Sequence, residues 1–203
     1  MIYSELKAAV ADFLNRQDLT SVIPTFIKFC EADLNRKLRH RNMLERATAT
    51  LDDQYTELPS DFLEAKNVQL NATPPVGLRY ITTDHADLLR QGVYSSEGQP
   101  VYYTIIGDTL ESVPTPGSEY TIELAYYKAF TALSGESDTN WLLTSHPDVY
   151  VYGALIHAAP YLKDDERIPT WVGLYEKAIS DLKAESEKAE YSGSVLQMRT
   201  KWP

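Results

Sequence analysis

The chain has 203 residues, 43% of them hydrophobic and 24% charged, which suits a folded globular protein and excludes a disordered one. Its net charge of −10 is uneven: residues 1–50 carry a net +2 and residues 51–203 a net −12. An acidic body excludes a protein that grips nucleic acid tightly, because that affinity comes from cations on phosphates. No apolar run approaches the roughly 20 residues of a membrane span, and the single cysteine, Cys30, forbids an intrachain disulfide.

The chain opens on "MIYSELKAAVADFLNRQD", where Glu5, Lys7 and Asp12 interrupt the apolar pattern. That is an amphipathic helix rather than a signal peptide, and the expectation is a protein made inside the cell. Tyr3, Leu6, Val10 and Phe13 form its stripe. "NRQDLTSVIP" breaks it, and Pro24 suits the first turn of a second helix, where a missing N–H costs nothing. Ile23, Ile27, Cys30, Leu34 and Leu38 line that helix's buried face. Cys30 reads as a small core residue rather than a reactive thiol.

From Arg46 to Lys128 the period shifts towards two. "RATATL" and "YTELP" flank a hairpin turn at Asp52 and Asp53, and "AKNVQLN" and "VGLRYI" flank Thr73-Pro74-Pro75. "TTDHADLLRQG" predicts a short helix capped by Thr83 or Asp84 and closed by Gly92. "PVYYTIIGDTLESVP" predicts two strands joined at Gly107-Asp108, and "TPGSEYTIELAYYK" a turn and a longer strand. Six or seven short antiparallel strands point to a small sandwich or half-open barrel.

In "SHPDVYVYGALIHAAPYLKDDERIP", Ser145 and Asp148 fit a capping box and Pro147 lies in the first turn between them. Val149, Tyr152, Ile156 and Ala159 form a stripe, while Gly153, Ala154 and Ala158 admit a close neighbouring helix. Pro160 is expected to kink or end the helix. "KDDE" begins the last helix, with the stripe Trp171, Leu174, Tyr175, Ala178 and Leu182.

The search for chemistry returns little. His146 and His157 stand eleven residues apart, about three helical turns or roughly 16 Å, and cannot share an ion alone. Asp164, Asp165 and Glu166 read as partners of a helix dipole. There is no nucleophile elbow and no phosphate loop. A glycosidase pair needs two facing acids, one with a raised pKa, and Asp52 and Asp53 are better explained as turn residues. The expectation is no enzyme, no cofactor and no metal.

The cationic run "NRKLRHR" reads first as a solvated helix C-terminus. Its sharper reading gives Arg36, Lys37, Arg39 and Arg41 an electrostatic contact with an acidic partner, such as a second copy of the chain. Fourteen tyrosines include the pairs Tyr102-Tyr103 and Tyr126-Tyr127. Neighbours on a strand face opposite sides, so one ring of each pair lies on an outer face, where tyrosine suits protein contacts. The tail "EKAEYSGSVLQMRTKWP" carries apolar residues outside any stripe and is expected to dock on something.

Taken together, "ELKAAVADFLNRQDLTSVIPTFIKFCEADLNRKLR", "RATATL", "LPSDFLE", "QPVYYTIIGDTLESVPTP", "YTIELAYYKAFTALS" and "TNWLLTSHPDVYVYGALIHAAPYLKDDERI" stand in an order that resembles the head-to-tail adaptor (connector) proteins of tailed bacteriophages. The resemblance covers roughly residues 3–182. It implies a dodecameric ring under the portal at the head–tail junction of the virion, a subunit made in the host cytoplasm, a tail or nozzle protein below, and DNA passing through the lumen without specific binding. It also implies that a C-terminal segment grips the portal, a role that falls here on Tyr191, Val195, Leu196, Met198 and Trp202.

The resulting expectation is an α+β protein. Helices at 1–44 and 131–190 form a bundle, an antiparallel sandwich-like region at 45–130 is inserted between them, and 191–203 is a docking tail. The alternatives are a phage cell-wall hydrolase with an acidic pair, or a monomeric tyrosine-rich binding module.

Overall fold

The structure is a computed structural model that describes residues 1–162 and 166–191, with only the backbone at Tyr191. The described residues form an α+β fold with helices at both ends of the chain and two sheets in its middle. They divide into a helical unit, Met1–Asn42 with the chain from Phe130 on, and a β unit, Met43–Ala129.

In the helical unit, α1 (Tyr3–Leu14) buries Tyr3, Leu6 and Val10. Phe13, expected on the same stripe, is exposed and meets the edge of Trp171 at 6.0 Å. Asn15, left-handed at φ 52°, ends α1, a conformation that asparagine tolerates better than most residues. Helix α2 (Ile23–Lys37) has Pro24 in its first turn, and Ile23, Ile27, Cys30, Leu34 and its capping residue Leu38 are all buried.

Ser145 does not cap the next long helix. It closes a short helix, α4 (Trp141–Ser145), whose cap is Asn140: Oδ1 accepts from the Leu143 N–H at 2.9 Å. The Asn140 amide then donates to the Tyr150 hydroxyl at 2.7 Å, which lets that ring lie fully buried. Pro147 opens α5 (Pro147–Leu162), and Pro160 sits inside its last turn rather than ending it.

Helix α5 packs against α1, α2, α4 and α6 (Ile168–Tyr191). It therefore buries Tyr150, Val151 and Leu155 beyond its expected stripe, while Tyr152 and Ile156 are only half-buried. The buried face of α6 runs through Tyr175, Ala178, Ile179 and Leu182 to Ser186, and Leu174 is exposed. Gly153 explains how closely three helices meet: a Cβ there would stand 2.3 Å from Cys30 Sγ on α2 and 3.1 Å from the Tyr175 ring on α6.

The β unit is a sandwich of two four-stranded sheets. One has the order β1 (Leu44–Leu51), β8 (Tyr120–Lys128), β3 (Phe62–Leu70), β4 (Val76–Gly77). The other has β2 (Tyr55–Glu57), β7 (Thr109–Val113), β6 (Tyr102–Ile106), β5 (Arg79–Tyr80). Asp52-Asp53 is thus no hairpin turn, because the chain changes sheets there: β1 pairs with β8 and β2 with β7. "VGLRYI" is likewise two pieces, β4 in one sheet and β5 in the other, with Leu78 buried between them. The β5–β6 pair is parallel, a departure from the all-antiparallel expectation.

Leu51, Val68, Leu70, Tyr103, Leu110, Ile122, Leu124 and Tyr126 fill the space between the sheets. Each such side chain, fully removed from water, contributes about 1.5–3 kcal/mol. The β6–β7 hairpin turns at Gly107, whose φ of +58° suits a residue without a Cβ. Helix α3 (Thr83–Gln91), with Thr82 as its cap residue, covers part of the second sheet with Ala86 and Leu89. Arg90 of α3 bonds the buried Glu111 carboxylate and, at 2.9 Å, the Ser112 carbonyl.

Candidate functional site

The residues that first suggested chemistry do not converge. Among the described residues no group of three or more histidines, cysteines or acids could hold a metal ion. His146 Nε2 lies 3.7 Å from the Glu185 carboxylate, whereas His157 packs on the Phe29 ring at 5.7 Å. Cys30 is buried, and desolvation pushes its thiol pKa far up, which fits a packing residue. Asp164 and Asp165 lie outside the described residues.

Among the described acids, Glu31 is the one with a raised pKa. Burial pushes it up to about 6, partly offset by the hydrogen bond its Oε1 accepts from the Leu133 N–H at 3.1 Å. That bond, with Asn35 Oδ1 accepting from Phe130 N–H at 3.0 Å, holds residues 130–133 against α2. Asp53 Oδ1 accepts from the neighbouring Gln54 N–H at 2.6 Å, the local bond that favours aspartate in turns.

The cationic run is largely engaged within its own unit. Arg36 and Lys37 both turn to Asp33, at 3.5 and 2.9 Å. Arg39 Nη1 donates to the carbonyls of Asn35 and Leu38, both at 2.8 Å, which satisfies the carbonyl end of α2. The Arg41 backbone N–H donates to Ser186 Oγ at 3.0 Å, and its side chain is exposed. His40 is buried and stacked on Trp141 at 4.7 Å, and desolvation lowers its pKa.

The tyrosine pairs obey the strand alternation. Tyr103 and Tyr126 point into the sandwich core. Tyr102 faces the other way, under α3 and against Tyr94 at 5.9 Å, and Lys66 stands over the Tyr127 ring at 5.9 Å. Of the proposed docking tail, Val195, Leu196, Met198 and Trp202 lie outside the described residues, and Tyr191 is the last residue of α6.

The feature that the residue pattern did not single out is the rim of the sandwich. β1 and β2 are the end strands of their sheets on one side. Two of the inward residues of β1, Ala47 and Ala49, are small, and a cavity of about 300 Å³ opens between the two strands. Thr56 and Leu58 form its far wall, and the core residues Leu110, Ile122 and Leu124 its floor. On the opposite side both sheets end in one segment, residues 76–80, with Val76 and Tyr80 exposed around buried Leu78. Small residues at every second position of "RATATL" were the available signal.

Comparison with known families bears on this directly. A model of the SU10 adaptor protein family matches residues 1–199. The chain belongs to that family. A comparison with curated proteins finds no match. Membership agrees with the resemblance to phage adaptors and makes this SU10 adaptor a structural virion component. No helix among its described residues is long and apolar enough to cross a membrane.

Proposed function

We propose that this SU10 adaptor is a non-enzymatic head-to-tail connector. Twelve copies form a ring at the head–tail junction, bound to the portal above and to a tail or nozzle protein below, with DNA passing through the lumen. The observation that carries the reading is the family match over residues 1–199. The charge distribution supports it: a net −12 over residues 51–203 suits a channel whose walls repel DNA and let it slide.

The tail residues Tyr191, Val195, Leu196, Met198 and Trp202 supply the apolar anchors for the portal. Arg36, Lys37, Arg39 and Arg41 lie at one end of α2, where an acidic face of a neighbouring subunit would be attracted. Purified protein mixed with its portal is expected to give a stoichiometric ring by mass measurement or microscopy, and its absence would refute the connector role. Deleting residues 191–203 is expected to abolish portal binding with the helix content retained. Unchanged binding would remove the tail from the reading.

A further inference from the structure

We propose that the two rims of the β sandwich are complementary halves of one subunit contact, in which residues 76–80 of one copy seat against β1 and β2 of the next. This inference rests on the ring reading above and names the surface that builds it.

Three observations converge. β1 is an eight-residue end strand paired without interruption to β8, from Leu44 opposite Tyr127 to Leu51 opposite Tyr120. Its Ala47–Leu51 stretch has no proline, no lysine, no bulge and no charge, the devices by which end strands ordinarily repel pairing. The cavity between β1 and β2 opens at the rim, with the buried core residues Leu110, Ile122 and Leu124 as its floor. Tyr80, 60% exposed on the opposite rim, is an apolar group of a size to enter it.

Charge matches as well. Exposed carboxylates of Asp52, Asp53 and Glu57 border the β1–β2 side, and Arg79 is the one charged residue between Asn71 and Thr82. Because the two surfaces differ, the contact is head-to-tail, the kind that closes into a ring when the rotation permits. The main-chain pairing would extend both sheets from copy to copy, as in strand addition by peptides. A tail peptide or a foreign strand is the competing occupant of the same rim. The acidic border and the matching Arg79 and Tyr80 favour a second copy.

The test mixes two single variants of the full chain in the presence of the portal. Ala49→Cys places a thiol at the cavity, and Gly77→Cys places one on the opposite rim, where a Cβ meets nothing within 4 Å. Buried Cys30 stays out of the reaction. With a short bismaleimide, the mixture is expected to give linked dimer several-fold above either variant alone, and mass measurement of the same sample reports assembly independently. Linkage dominated by Ala49→Cys with itself would overturn the head-to-tail geometry. Rings without mixed linkage would overturn this contact and leave the ring reading standing, while a chain that stays single by both measures would remove both. Tyr80→Glu, at an exposed position, is expected to weaken self-association at least about tenfold with the unfolding midpoint unchanged. Undiminished association would exclude Tyr80 from the contact.

Discussion

In the helical unit, the space left by the missing side chain of Gly153 is filled by Cys30 and Tyr175; in the sandwich, the short side chains of Ala47 and Ala49 leave a cavity of about 300 Å³ open at the rim. Both are sites of small residues, and they do opposite things. Where helices surround a small residue on several sides, their backbones approach until the gap is gone. At the last strand of a sheet no further element exists to close in, so the gap stays. A small residue is a packing device in the first setting and a receptor in the second.

The sharpest test of that contrast is Gly153→Val. Overpacking against Sγ and the Tyr175 ring is expected to cost roughly 3 kcal/mol in denaturant unfolding, and Cys30→Ala in the same chain should recover part of it as a coupling energy. A loss under 1 kcal/mol would show the helical unit to be looser than its contacts imply. Arg90→Ala tests the covered side of the sandwich. It leaves the Glu111 carboxylate buried without its guanidinium, for an expected loss of about 3 kcal/mol. Arg90→Ala with Glu111→Leu should cost less than the single change.

Glu31→Gln probes the helical unit through pH. The native pKa of about 6 lies above the usual 4.5, so the group's contribution is full below pH 4.5 and lost as pH rises through 6. Glutamine keeps an acceptor for Leu133 N–H and carries no charge, so the variant is expected to gain about 2 kcal/mol above pH 6 and nothing below pH 4.5. Equal gains at both pH values would deny that Glu31 is desolvated. Ala49→Phe, by contrast, has room. Its unfolding free energy is expected to move by less than about 1 kcal/mol, while self-association falls because the cavity is occupied. Least of all should Arg36→Ala matter, since its exposed pairing with Asp33 is worth at most about 0.5 kcal/mol in thermal unfolding.

Much of the helical unit was readable from periodicity. Ile23, Ile27, Cys30, Leu34 and Leu38 are all buried, because α2 turns one face inward and a 3.6-residue period records that face. Phe13 and Leu174 were misread for a related reason: each sits at the border of its stripe, and which border closes depends on the neighbouring helix. Helix α5 was the hardest, since a helix packed by four others has no polar face to define a period. In the β unit the strands were legible and their partners were not. Alternation in "RATATL" says which residues face inward, but it carries no information on whether the next strand joins the same sheet.

Composition, charge and local pattern thus determined that this chain is a mixed helical and β protein without metal-ligand or nucleophile motifs, because those properties are written in residue types and short spacings. Tertiary structure alone decided that Ser145 ends one helix instead of capping the next, that the chain changes sheets at Asp52 and at Leu78, and that Ala47 and Ala49 line an open cavity. Each of those outcomes depends on which segment stands alongside, and such neighbours are set by contacts between residues far apart in the chain.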